Sequence, residues 1–360
     1  MLKFTNLLVG LLGMTVVIIQ PHTVIANAAQ KVDVISQTDN FFNIGFSKVE
    51  RGDYQGAIVA FTEAIRINPN YTEAYYNRGI ARYYLGEKQA AIEDFDRAIK
   101  INSNFAEAYY NRGITYDDLG KQQAAIEDYN RAISINPNYA KAYYNRGIAR
   151  HDLGEKQAAI EDYDRAIRIN PNYAKAYISR GLTRSTLGDK QAAIEDYDRA
   201  LKINPNDADA YNNRGLARSE MGDKLAAIED YNRAIKINPN DSDAYYNRGL
   251  AYYEMGDKLT AIEDYNRAIK INPNDSDAYH NRGVVHYYLG NKLAAIQDFD
   301  RAIKINPKDA FAYHGRGQCR YDLGDKQGAI VDFQKAASIY QQEGEQDRYQ
   351  DMLARIKNLH

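Results

Sequence analysis

Three side-chain types recur along this chain at a spacing that could do chemistry. Arginine stands at Arg78, Arg112, Arg146, Arg180, Arg214, Arg248, Arg282 and Arg316, and an aspartate follows each one in turn, from Asp94 to Asp332. A guanidinium fork facing a carboxylate makes a bidentate charge-assisted pair. Where both members drop out together, at Ile44 and Ala60, the co-substitution says that the two positions meet. The competing reading is an arginine ladder for an anionic ligand, and it is the weaker because each arginine has its own aspartate. Asparagine stands just before the arginine position at Asn43, Asn77, Asn111, Asn145, Asn213, Asn247 and Asn281, with Ser179 and Gly315 as exceptions. A primary amide donates and accepts, which matches a peptide unit; it can equally bond its own backbone or water. Asp117, Asp118, His151 and Asp152 are the residues with most metal-ligand character, with His280, His286 and His314 behind them. No Ser/His/Asp set, Gly-rich phosphate loop or paired-His motif stands apart from the repeated background, so an enzyme has no support here.

The elements that carry these residues are blocks of 34, nine in tandem from Thr38 to Glu343. A fixed period of this length is the mark of stacked supersecondary units. Within the block Ala140–Tyr173, positions 1–14 place small and aromatic residues at helical spacing, and Gly154 stops that helix. A second helix follows with Ala159, Tyr163, Ala166 and Ile167 on one stripe, until Asn170-Pro171-Asn172 breaks it.

The blocks resemble tetratricopeptide (TPR) repeats. Position 4 is aromatic from Phe41 to Tyr313, and position 8 is glycine from Gly45 to Gly317. Positions 20 and 27 are alanine from Ala57 and Ala64 to Ala329 and Ala336, position 24 is Phe or Tyr, and position 32 is proline except at Ser103 and Gln341. The resemblance implies an all-α TPR solenoid, a right-handed superhelix of antiparallel helix pairs whose first helices line a concave groove that binds peptides. In that family position 6 faces the groove, which implies an asparagine ladder like that of O-GlcNAc transferases, gripping the backbone of an extended peptide. Positions 2, 5, 9, 12 and 13 would line the same groove. They hold Tyr76, Tyr110, Tyr144 and Tyr246 at 5, Tyr83, Tyr253, Tyr287 and Tyr321 at 12, and at 2 a cationic centre of Lys141 and Lys175 flanked by Glu73, Glu107, Asp209, Asp243 and Asp277. Tyrosine suits such a surface, with contact area at low entropic cost. The carboxylate clamp of chaperone-binding relatives is mostly missing, because its Lys at 5 and Asn at 9 are replaced by aromatic or apolar residues. The expected partner is therefore an extended peptide or a partner protein, with a metal-binding or metal-delivery factor as the alternative and no cofactor.

The ends differ from the array. Lys3 is the only charged residue before Ala29, Leu7–Ile19 is apolar, and Ala26-Asn27-Ala28 has the small-x-small form of a leader cleavage site. Residues 1–28 are expected to be a signal peptide, which implies export to a periplasm or thylakoid lumen and no membrane attachment after cleavage; an uncleaved anchor is the alternative. Residues 29–37 read as a polar linker. Residues 344–360, with Tyr349, Met352, Leu353, Ile356 and Leu359 at helical spacing, read as a capping helix. Formal charge is −2 over 360 residues, without a basic block, so nucleic acid is not implied. Cys319 is alone, which excludes a disulfide framework and a cysteine metal cluster.

Overall fold

A computed structural model describes residues 29–359, with the side chains of 29–35 left aside; the leader expected at 1–28 lies outside these residues. The described residues form 19 helices and no strand. None of those helices is long and apolar enough to cross a membrane. They group into two compact units, one ending at Thr183 and one beginning at Arg184. Residues 29–37 are a correction to the sequence reading. They are not a linker but the start of the helix Ala29–Glu50, for nothing between Ala29 and Gly45 breaks a helix.

Each block makes the two helices its pattern implies, such as Ala140–Asp152 and Lys156–Ile169. The turn between them passes through Gly154 at φ 82°, a left-handed conformation that glycine enters without a Cβ clash. The second helix ends at Asn170, whose side-chain oxygen accepts from the Asn172 amide at 3.1 Å and so initiates the turn that Pro171 completes. Core packing repeats with the sequence. Tyr163 is buried between the helices, and its ring edge comes so close to Gly147 that a Cβ there would stand 2.6 Å away. Ala159 and Ala166 are fully buried beside it, which explains why these positions stay small. At the C-terminus, Gln346–Leu359 lays Met352 against Tyr340 of the preceding helix, as a cap that covers the last repeat's apolar face.

The arginine–aspartate pairing is observed in both units. Arg146 donates Nε and Nη2 to the two oxygens of Asp162 at 2.9 and 2.5 Å. The same fork joins Arg78 to Asp94, Arg112 to Asp128, Arg214 to Asp230, Arg248 to Asp264, Arg282 to Asp298 and Arg316 to Asp332. The pair expected at Arg180 and Asp196 spans the two units and stays an expectation. Two further contacts were not legible in the pairing itself. The free Nη1 of Arg146 donates to Asn130 Oδ1, on the second helix of the preceding repeat, at 2.6 Å. The guanidinium also lies over the Tyr143 ring at 5.3 Å. One arginine per repeat therefore ties its own two helices together and ties them to the preceding repeat, so these side chains are structural.

Candidate functional site

The asparagine and tyrosine columns differ between the two units. In the N-terminal unit Asn77, Asn111 and Asn145 are 3%, 0% and 1% exposed. Asn111 Nδ2 donates to Tyr76 Oη at 2.7 Å and Asn145 Nδ2 to Tyr110 Oη at 3.1 Å, each reaching back one repeat; Asn77 Nδ2 donates to the Glu73 carbonyl at 2.7 Å. The rings of Tyr76, Tyr110 and Tyr144 are buried too. Aromatic residues at position 34 lie against them, with Phe105, Tyr139 and Tyr173 at centroid distances of 4.7, 4.8 and 4.9 Å. These six residues were expected to face a ligand. Asn111 and Asn145 instead staple neighbouring first helices through their amide donors, Asn77 bonds its own helix, and the three rings pack inside the stack. Of the other expected site residues in this unit, Asn43, Lys141 and Lys175 are exposed.

The C-terminal unit keeps the same columns partly open. Asn213, Asn247, Asn281 and Tyr246 are all partly exposed. Asn247 Nδ2 reaches Asn212 Oδ1 at 3.1 Å and Asn281 Nδ2 reaches Tyr246 Oη at 2.8 Å, so the inter-repeat bond persists at an accessible edge. The physical reason is position 34, which changes from an aromatic residue to Asp207, Asp241, Asp275 and Asp309. No position-34 ring covers position 5 there. The aspartates cap the following first helices instead; Asp241 accepts from the amides of Asp243 and Ala244, each at 3.1 Å. Carboxylates are crowded as a result. Partial burial, then the charges of Asp207, Asp241 and Asp243, push the Asp209 carboxyl above its ordinary value. At the other end of the same helices Tyr253, Tyr287 and Tyr288 cluster, with centroids 6.4 Å apart for Tyr253 and Tyr288 and 5.6 Å for Tyr287 and Tyr288. Tyr288 and Tyr321 are exposed. Position 34 was the signal that sequence reading passed over, since its switch is visible as soon as the blocks are aligned.

The alternative metal residues do not assemble into a site. Tyr83 Oη donates to Asp118, which also pairs with Lys88 at 3.5 Å, and His151 Nδ1 lies 2.9 Å from Thr183 Oγ1. Among the described residues no group of three or more His, Cys, Asp or Glu is placed to hold an ion. The cluster has an electrostatic consequence nonetheless. Burial, then the charges of Asp152 and Asp118, push Asp117 up to about 6. A carboxyl raised above its unfolded value stabilises the fold below pH 4 and loses that contribution as pH rises through about 6. Asp117→Asn is therefore expected to raise the unfolding temperature at pH 7.5, by a free energy on the order of 2 kcal/mol, and to leave it unchanged at pH 3.5. Thermal melts at the two pH values check this.

Tetratricopeptide repeat patterns match residues 72–105, 106–139, 140–173, 242–275, 276–309 and 312–343, and a related TPR repeat pattern matches 45–86, 186–222 and 225–256. The chain belongs to the tetratricopeptide repeat family. Among solved structures it is similar to a tetratricopeptide repeat protein from Parabacteroides merdae, at 21% identity over 69% of this chain and 98% of that one, with a TM-score of 0.55. A second is the C-terminal part of a TPR repeat-containing protein from Cytophaga hutchinsonii, at 19% identity over 66% of this chain and 97% of that one, also with a TM-score of 0.55. MamA is 33% identical over 47% of this chain and 92% of its own, with a TM-score of 0.44. No curated protein matches the chain.

Proposed function

We propose that this protein is an interaction scaffold whose C-terminal unit holds an extended, basic peptide along its first helices. The observation that carries this is the change at position 34, which leaves Asn213, Asn247 and Asn281 at an accessible edge beside a column of carboxylates. Amides there can bond a peptide backbone without reading its sequence. Asp209, Asp243 and Asp277 supply charge for Lys or Arg side chains, and Tyr253, Tyr287 and Tyr321 supply apolar contact. Met1–Ala28 is read as a leader removed after Ala28, which puts the scaffold outside the cytosol, in assembly or maturation of other exported proteins.

The test is fluorescence anisotropy against extended ten-residue peptides that differ only in Lys and Arg content. Basic peptides are expected to bind, with an affinity that falls as salt is added. Replacing Asp209, Asp243 and Asp277 together by Asn should weaken binding by roughly tenfold or more, while Glu73→Gln with Glu107→Gln leaves it unchanged. Equal binding of neutral and basic peptides, or an unaffected triple variant, would overturn the assignment.

A further inference from the structure

We infer that the turn edge of the sixth, seventh and eighth repeats is a self-association surface, on which a second copy of this chain docks about a two-fold axis at Leu259. Position 18 is glutamine in six blocks, from Gln55 to Gln327, and leucine in three consecutive ones, at Leu225, Leu259 and Leu293. These leucines are 67%, 68% and 69% exposed. The buried stripe of their helices lies elsewhere, on residues such as Ala227, Tyr231 and Ala234. Leucine and glutamine have similar helix propensities. Neither local structure nor core packing therefore accounts for three exposed leucines in a row.

A second apolar column runs beside the first. Met221, Met255 and Leu289, at position 14, precede the left-handed glycines of the same turns and are also exposed. Several charges next to the strip are taken up within the chain. Lys224 pairs with Glu254, Lys292 lies 3.4 Å from Asp322, and Lys258 lies 5.4 Å over the Tyr288 ring. Asp223 and Asp257 are engaged as helix caps. Glu229 and Glu263, exposed one helical turn beyond Leu225 and Leu259, belong to the polar rim, and the apolar centre they border is complementary to an apolar surface like itself.

The strip is also finite. Its position-18 column spans three repeats and stops at Gln191 and Gln327, whereas position 14 is exposed and apolar in earlier repeats too, as at Leu153 and Leu187. Rotation about an axis through Leu259 carries Leu225 onto Leu293 of the second copy, which is the self-complementarity an isologous contact needs. Six exposed apolar side chains thus stand together on three consecutive turns, and a large contiguous apolar patch is what monomers rarely leave open. A stable interface buries roughly 800 Å² per partner, so the polar rim around the strip is part of the contact.

Sedimentation of the full chain across micromolar concentrations tests the inference, and a monomer–dimer equilibrium is expected. Changing Leu225, Leu259 and Leu293 together to Gln, the residue the other repeats carry, should weaken association by roughly a hundredfold or more with an unchanged melting curve. Cysteine cross-linking reads the axis independently. Leu259→Cys should cross-link to itself, whereas Leu225→Cys should cross-link efficiently only when mixed with Leu293→Cys; the native Cys319 is buried and does not interfere. A wild-type chain that stays monomeric at about 100 µM, far above the dissociation constants of specific interfaces, would overturn the inference. So would a triple variant that associates as before, or a strip that instead takes up an amphipathic peptide or lipid vesicles while the chain remains monomeric.

Discussion

Arg248→Ala is expected to destabilise the seventh repeat by about 3–5 kcal/mol, the cost of leaving a buried carboxylate without its partner. Asp264 is 3% exposed and is held by Arg248 Nε and Nη2 at 2.8 and 2.6 Å. Position 11 of this repeat is Tyr252, which brings no second cation. The fourth repeat makes the control. Arg150 there also reaches Asp162, at 2.9 Å, so Arg146→Ala should cost distinctly less. A repeat array need not unfold in one step, so the measurement is amide hydrogen exchange in the helices Ser242–Glu254 and Lys258–Ile271. Arg248→Ile with Asp264→Ala installs the apolar pair that the first repeat carries as Ile44 and Ala60, and should recover most of the loss. Equal costs for Arg248→Ala and Arg146→Ala would show that the aspartate is not dependent on its arginines.

Tyr163→Ala is expected to cost about 3–5 kcal/mol by leaving a cavity between the helices Ala140–Asp152 and Lys156–Ile169. The ring is 1% exposed, and Gly147, Ala159 and Ala166 have no side chains long enough to fill the space. Tyr163→Phe keeps the ring and loses only the hydroxyl's bond to Thr183, a loss of about 1 kcal/mol. Because each repeat is stabilised mainly by its neighbours, protection should fall first in the fourth repeat and in the helix Ala174–Thr186 that begins the fifth. A uniform loss of protection across the whole unit would indicate a single cooperative block instead.

Much of this molecule was legible in its residues alone. The 34-residue period, the glycine at the turn, the alanines at 20 and 27 and the Asn-Pro stop each impose a local conformation, and local conformation is what one chain can specify without knowing its neighbours. The arginine–aspartate contact was legible too, because the first repeat lost both partners at once. The asparagine column was not. Asn111 and Asn281 stand at the same place in near-identical blocks, yet one is sealed and the other partly open. The difference lies in which residue of position 34 comes to rest on the position-5 ring, Phe105 against Tyr76 in one case and Asp275 near Tyr246 in the other. Burial depends on contacts between helices far apart along the chain, so repeat pattern alone could place the amide on the right face without saying whether water or a ligand could reach it. Tertiary packing made that decision, through whether an aromatic ring or a helix-capping carboxylate closes each repeat.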